Sequence, residues 1–481
     1  MTTASMTAVP AARRIVVVGQ GAAGLTAAVA AAEESGALGM RVEVTVIDKA
    51  DQAAAGGNTR WSPSYMRMDA PDRLPDSFVE DLQESCGGQG DSSYFRALAR
   101  NATATVRWLQ GFGIHFCTPV YYLSSGPRRI QPVGGGVALL SGLSLAARYS
   151  GVTVRYSCRA QRILMGDDGA VSGVVVLNGD GRSSTIPAEA VVLASGGFQG
   201  DGAMMRSHFG ENAERMRMIA PGTGLNTGDG IRMALEHGAR VSGDWNGMHA
   251  EPVDARGGGP APVVLVYPYG IVVDRDGERF FDEGAGLVHE TWERFARKIH
   301  FEAPGSVVYA ILDSGLFAIA DFQRAIRSEL MPFMADTLLE LAAAIDVDAR
   351  GLADTVARYN AAATGDPARF DPTRLDGLCA HAGLNPPKSN WARPLSAPPF
   401  LAYPLAGAIA YTFGGLATSD LAEVLGKDGR LPGMYAAGEV TGHFYRTAPN
   451  AVSVLRALVF GRIAGMEAAR YAHGLARERA L

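Results

Sequence analysis

Cysteine is scarce. The 481 residues contain four, Cys86, Cys117, Cys158 and Cys379, all far apart in the chain. No CxxC pair occurs and the spacing makes no disulfide framework, so a cysteine-held metal cluster and a secreted disulfide scaffold are both excluded. The four thiols read as buried or incidental groups of a reducing cytosol. An excess of one charge is also lacking: 44 Lys plus Arg stand against 49 Asp plus Glu, a formal net charge of −5 at pH 7. That balance gives no footprint for nucleic acid or for an anionic membrane. Residues 1–14 lack the positive start and apolar middle of a signal peptide, since Arg13 and Arg14 come at their end. The uncharged run Ile15 to Ala32 reaches the lower edge of a bilayer span. Gly19, Gln20, Gly21 and Gly24 divide it, however, into a short β-type stretch, a turn and an alanine-rich helix. A cytoplasmic protein without a membrane span is expected. No internal repeat or low-complexity segment is present.

What the chain does have is length, 47% apolar residues and 59 glycines. These suffice for two domains with proper cores. Strand-like runs recur at Ile15–Val18, Val42–Ile47, Val152–Tyr156, Val171–Leu177 and Ala190–Ala194, with helical stretches among them at Ala22–Ser35, Ser92–Phe112 and Ala138–Ser150. This order predicts an α/β fold on a parallel sheet. Between Asp244 and about Ser396 the texture changes to Pro/Gly clusters and amphipathic stretches, and the apolar helix Val452–Tyr471 then returns to the earlier style. The expected architecture is a Rossmann-like domain in two pieces, 11–242 and 396–481, with an inserted α+β capping domain, 243–395.

Gly19, Gly21 and Gly24 form a GxGxxG that follows a strand and opens a helix. In that geometry the first glycine makes the turn, the second admits a pyrophosphate to the backbone, and the third allows close helix–strand packing. Asp48 ends the next strand, where an acidic side chain accepts hydrogen bonds from ribose hydroxyls. The pairing points to a dinucleotide.

Further glycine motifs follow in order: Gly56 to Thr59, Ala194 to Gly197, NTGDG at Asn226 to Gly230, and GMYAAGE at Gly433 to Glu439. At these residues the chain resembles the flavoprotein subunit family of fumarate reductases and succinate dehydrogenases, in its soluble branch. GGNTRWSPSYMRM from Gly56, GGGVALLSG from Gly134 and GMHA from Gly247 look most like the tricarballylate dehydrogenase group within it. The resemblance implies FAD, with the pyrophosphate at Gly19, Gly21 and Gly24, the adenosine ribose at Asp48, and Ala23 and Lys49 also among the cofactor-binding residues. It implies Gly57, Asn58 and Thr59 along the flavin, and Ala160, Ala194, Gly196 and Gly197 near the cofactor. Asp229 and Glu439 would hold the ribityl chain and Ser453 and Val454 would face the ring's pyrimidine edge, with Asn226, Gly438 and Asn450 also among the cofactor-binding residues. Membrane-bound members attach the flavin through a histidine before the glycine pair; Gln52 to Ala55 contain none, which implies noncovalent FAD.

Desaturating a carbon–carbon bond beside a carboxylate or ketone needs a hydride path to the flavin, a base for the neighbouring proton and donors for the carbonyl oxygens. Arg446, four residues before Asn450, and His249 in GMHA match the family's substrate-binding arginine and histidine. Two departures stand out. The motif GERFFDE, Gly277 to Glu283, is followed by the apolar Leu287 and Val288 where proton-delivering arginines are sought, and Tyr411 in AYTFGG replaces a histidine. A flavin-face tyrosine resembles ketosteroid dehydrogenases, where it polarises a ketone or takes a proton. Tyr267, Tyr269, Tyr121 and Tyr122 could add to such a set, and His289 or Glu290 could replace the lost arginine, although packed aromatics and a solvated helix face account for them as simply.

The implied activity is an FAD-dependent dehydrogenase with Tyr411, Arg446 and His249 as its catalytic set. The substrate would be a small carboxylate, tricarballylate-like or a cyclic keto acid. A ketosteroid-type desaturase, a fumarate reductase-like enoate reductase and a non-catalytic flavin-binding protein remain as alternatives. The electrons would pass to a separate acceptor, an iron–sulfur partner, a quinone or oxygen.

Overall fold

The computed structural model describes residues 12–119 and 126–474. Tyr121 and Tyr122 lie outside the described residues. A six-stranded sheet runs in the order Glu423–Gly426, Gly429–Ala436, Ala190–Leu193, Arg13–Val18, Val42–Ile47, Thr153–Arg155. All neighbours pair in parallel except the first two. Its middle strands are runs of Val, Ile, Leu and Ala buried almost without interruption, as a sheet covered on both faces requires. The strand Val171–Leu177 departs from expectation: it pairs antiparallel with Arg159–Met165 and Ser183–Pro187 in a separate small sheet. Its apolar content announces a strand, while its neighbours in sequence supply the partners.

The helix Ala22–Ala37 and the final helix Ser453–Ala472 cross on one face of the main sheet. A Cβ on Gly461 would stand 2.5 Å from the carbonyl oxygen of Ala23, and one on Gly465 2.1 Å from that of Ala27. The two helices therefore meet backbone to backbone, which explains the run of small residues on both. This contact fixes the N-terminus of each helix against the same cavity.

The capping sheet centres on the 13-residue strand Phe400–Thr412. It pairs antiparallel with Met248–Asp254, Val308–Leu312 and Phe333–Ala335, and Val308–Leu312 in turn pairs with Ile271–Val273. This sheet takes in residues on both sides of the boundary expected at 396, because Phe400–Thr412 pairs with strands that precede it. The GERFFDE motif is structural. Arg279 donates to Glu283 Oε2 at 2.7 Å, and the fully buried Lys388 donates to the carbonyls of Pro268 and Gly270, each at 2.7 Å. That buried network pins the loop carrying Tyr267 and Tyr269 into the cap core. Tyr267 pairs with Thr291 at 3.2 Å and Tyr269 donates to the carbonyl of Pro372 at 3.0 Å. The helix Val288–Glu302 starts with Glu290 accepting from the Leu287 N–H at 2.8 Å, so Glu290 caps a helix.

Candidate functional site

One long cavity runs from the N-terminus of Ala22–Ala37, past the C-terminal ends of the parallel strands, to the underside of the capping sheet. At its nucleotide end Gly19 has φ +106°, and a Cβ there would lie 2.4 Å from the carbonyl oxygen of Ala194. Gly24 is equally constrained, by the carbonyl of Gly19 at 1.9 Å, and does not line the cavity. Gly21 differs. A Cβ on it would meet nothing nearer than Thr59 Oγ1 at 3.7 Å, and would project into the cavity. Packing therefore requires glycine at 19 and 24, whereas at 21 the bare backbone opens a helix N-terminus to a ligand, the arrangement that suits a pyrophosphate. Asp48 accepts the backbone N–H groups of Gln20 and Ala50, each at 2.8 Å, and burial raises its pKa.

Further along, Asp229 is held by Lys49, Arg159 and Arg232, each at 2.9 Å. Burial pushes its carboxyl up, but the hydrogen bonds from Arg159 and Lys49 outweigh that and hold it below the usual carboxylate range. Glu439 is buried between the Thr412 N–H at 3.1 Å and Asn226 Nδ2 at 3.2 Å, and burial pushes it up to about 7. Asn58 donates to the Ala410 carbonyl at 2.7 Å. The remaining expected cofactor residues, Gly57, Thr59, Ala23, Ala160, Ala194, Gly196, Gly438, Asn450, Ser453 and Val454, all line the cavity; Gly197 stands behind it, against Glu439 and Thr412. Buried polar atoms of the wall without a protein partner include Gln20 Oε1, Trp61 Nε1, Ser195 Oγ and Asn450 Oδ1. Such atoms cost stability unless a ligand satisfies them. The chemistry of the wall fits FAD.

At the cap end a β-bulge falls between His249 and Ala250, which oppose Tyr411 and Ile409 and leave Ala410 unmatched. Bulges re-aim side chains. Here Tyr411 turns onto His249, ring centroids 4.8 Å apart, and into the cavity. Burial, reinforced by the negative charge of Glu293, pushes the Tyr411 phenol well above its ordinary range, so it stays protonated; it also hydrogen-bonds Ser453. His249 was expected to offer an N–H to a substrate carboxylate. The structure assigns both of its ring nitrogens elsewhere, Nδ1 to Glu293 and Nε2 to Glu251 at 3.1 Å. Burial alone would lower its pKa, but the hydrogen bonds and charges of the two carboxylates push it up to about 10. The imidazolium is thus a clamped internal cation.

Arg446 does not line this cavity. It is exposed with φ +57°, and it borders a second hollow with Glu293 and Arg294. Cationic groups without a motif line the cavity instead: Arg129, over the Tyr65 ring at 5.4 Å, and Arg327, with Trp61 and Trp292 also in the wall. Arg456, 1% exposed, lies over the Phe444 ring at 4.1 Å and also faces the cavity. His289 is pushed down to about 4 by burial and by Arg129 and Arg67, so it is neutral. Among the described residues no group of three or more His, Cys, Asp or Glu is arranged to hold a metal ion, and no helix is long and apolar enough to cross a membrane.

The clamped histidine carries a pH prediction. Because the folded pKa of His249 is raised, its contribution to stability is full below the unfolded value of about 6.5 and is lost as pH rises toward 10. The difference in melting temperature between the wild type and His249→Gln is expected to be largest near pH 6 and to shrink steadily toward pH 10. A difference that stays constant over that range would show that the imidazolium is not clamped.

A glycine-turned helix N-terminus, an acidic residue on the second strand and a cavity that continues under a cap define a flavin-dependent oxidoreductase. The chain belongs to the FAD binding domain family, whose model matches residues 14–452. It is 30% identical over 480 residues to a probable fumarate reductase of Shewanella frigidimarina, covering 95% of this chain and 75% of that one. It is also 32% identical over 369 residues to 4-oxocyclohexanecarboxylate 2-dehydrogenase of Sinomonas cyclohexanicum, covering 71% and 62%. Among solved structures, the open conformation of a flavocytochrome c3 fumarate reductase superposes with a TM-score of 0.77 at 27% identity, over 96% of this chain and 78% of that one. A 3-ketosteroid-Δ4-(5α)-dehydrogenase of Rhodococcus jostii shares the fold, with a TM-score of 0.68 at 23% identity, over 97% and 99%. The chain is therefore an FAD-dependent oxidoreductase of the fumarate reductase type, acting on CH–CH groups.

Proposed function

We propose that the protein desaturates a cyclic keto acid at the carbon–carbon bond beside the ketone. The observation that carries this reading is the company at the cap end: a phenol kept protonated by burial, Tyr411, shares the cavity with Arg129 and Arg327. The arginines hold the substrate carboxylate through their planar forks. The Tyr411 O–H donates to the ketone oxygen and stabilises the charge that collects there. Trp61, Trp292 and Tyr65 supply an apolar wall that fits a ring and excludes water. FAD, when bound, supplies the hydride acceptor, held at its pyrophosphate by Gly19 and Gly21 and at its ribose by Asp48. The name of the Sinomonas relative points to the same substrate class. Leu287 and Val288, apolar where a proton-delivering arginine was sought, weigh against fumarate reduction. The electron acceptor is taken to be a separate molecule.

Anaerobic titration of the purified yellow protein tests the reading. 4-Oxocyclohexanecarboxylate is expected to bleach the flavin band, whereas tricarballylate and a 3-ketosteroid leave it unchanged. Bleaching by tricarballylate alone would replace the keto acid with a polycarboxylate.

A further inference from the structure

On this keto-acid reading a base is still missing, because Tyr411 is held as a phenol and can donate a hydrogen bond but not accept the substrate's proton. Four carboxylates line the cavity: Asp48, Asp229, Glu251 and Glu439. Asp48 is engaged by two backbone N–H groups and Asp229 by three cations, both at the nucleotide end. Glu439 is buried beneath Gly197 and bridged to Asn226 and Thr412. Glu251 alone of the four stands at the cap end. It lies two residues beyond His249 on the strand Met248–Asp254, and period-2 alternation puts both side chains on one face. Its Oε1 takes the His249 Nε2–H at 3.1 Å, and its side chain is 17% exposed, toward the cavity.

We infer that Glu251 is the base that removes the proton α to the ketone, opposite the Tyr411 phenol and held in place by the His249 imidazolium. In this step the Cα–H bond breaks, the proton goes to a carboxylate oxygen of Glu251, and the electron pair stays on the substrate as an enolate whose oxygen accepts from Tyr411. The step is balanced without an oxidant. Burial would raise the Glu251 carboxyl, but the His249 hydrogen bond and charge, with Arg327, keep it below the ordinary range and so ionised. Proton abstraction beside a ketone by a carboxylate, with a protonated phenol among the donors on the oxygen, has a precedent in ketosteroid isomerase, where a protonated carboxyl is the second donor. Glu293, which borders the second hollow, is a positioning residue that fixes His249 from its other side.

The test uses the holoenzyme with its flavin reduced beforehand by dithionite, so that desaturation cannot proceed. It follows by NMR the exchange of the hydrogens α to the ketone of 4-oxocyclohexanecarboxylate in D2O, and binding by perturbation of the flavin spectrum. The wild type is expected to bind and to exchange. Glu251→Gln is expected to bind with similar affinity and to exchange at least about 100-fold more slowly, the usual scale of a lost acid–base group. Glu251→Asp, which keeps a carboxylate, is expected to fall between the two; it carries the test if the Gln variant does not retain flavin. Exchange at the wild-type rate in the Gln variant, or in an Asp variant that matches the wild type while an Ala variant does too, overturns Glu251 as the base. Binding without exchange in the wild type overturns a separate proton-abstraction step. Failure of the wild type to bind the keto acid overturns the functional reading itself, and the assignment of Glu251 with it.

Discussion

Gly21→Val is expected to yield a folded but colourless protein. A Cβ added there meets no protein atom closer than 3.7 Å, so the strand–turn–helix keeps its shape; the branched side chain beyond it extends into the space beside the first turn of Ala22–Ala37, where the bare backbone faces the cavity. Blocking that approach removes the contact between a pyrophosphate and the positive end of the helix. FAD affinity should fall at least about 100-fold, equivalent to roughly 2.8 kcal/mol. The measurement is flavin absorbance per protein after gel filtration, with circular dichroism to show that the fold is intact. Gly24→Val is the contrast. Its side chain would run into the carbonyl of Gly19 at 1.9 Å, and relieving that overlap must part the helix from the strand. There the fold should be lost together with the flavin. If Gly21→Val stayed yellow, the cavity would have to take its cofactor by another route.

The difference between those two glycines also shows what a sequence can convey. The GxGxxG spacing is a local geometry, so its turn, helix and following acidic residue were legible from the residues alone, as were most strands and helices of the main sheet. Val171–Leu177 was legible as a strand but not as to its partners, because a buried apolar run looks the same in either sheet. Tyr411 was legible because it breaks a motif, although nothing local announced the bulge that turns it inward. Arg129 and Arg327 carry no motif; that they line the same cavity as Tyr411 shows only in the folded chain. Glu251 could have been found. His249 and Glu251 are two apart in a strand-like stretch, and the alternation that places one at the site places the other beside it. Arg446 shows the opposite limit: an interval along the chain gives a place in a loop and says nothing of the side chain, which borders the second hollow.

Tyr411→Phe is expected to lower kcat with 4-oxocyclohexanecarboxylate by about 100- to 1000-fold, the cost of removing one donor from a developing oxyanion. KM should change little, because in the proposed function the carboxylate is held by Arg129 and Arg327 and not by the phenol. A loss confined to kcat is the signature of an interaction that strengthens in the transition state. The flavin content should be unaffected, since Tyr411 loses only its hydrogen bond with Ser453, and the ring still stacks on His249. The pH profile separates the two roles open to this tyrosine. A phenol acting as base would make the rate climb as it ionised at strongly alkaline pH. A phenol acting as donor, held protonated by burial and by the charges of Glu293 and Glu251, leaves the wild-type rate without such a rise. A wild-type rate that climbs into the alkaline range, and a Phe variant that abolishes the climb, would move the base from Glu251 to Tyr411 and leave the ketone oxygen to be held by another donor of the wall.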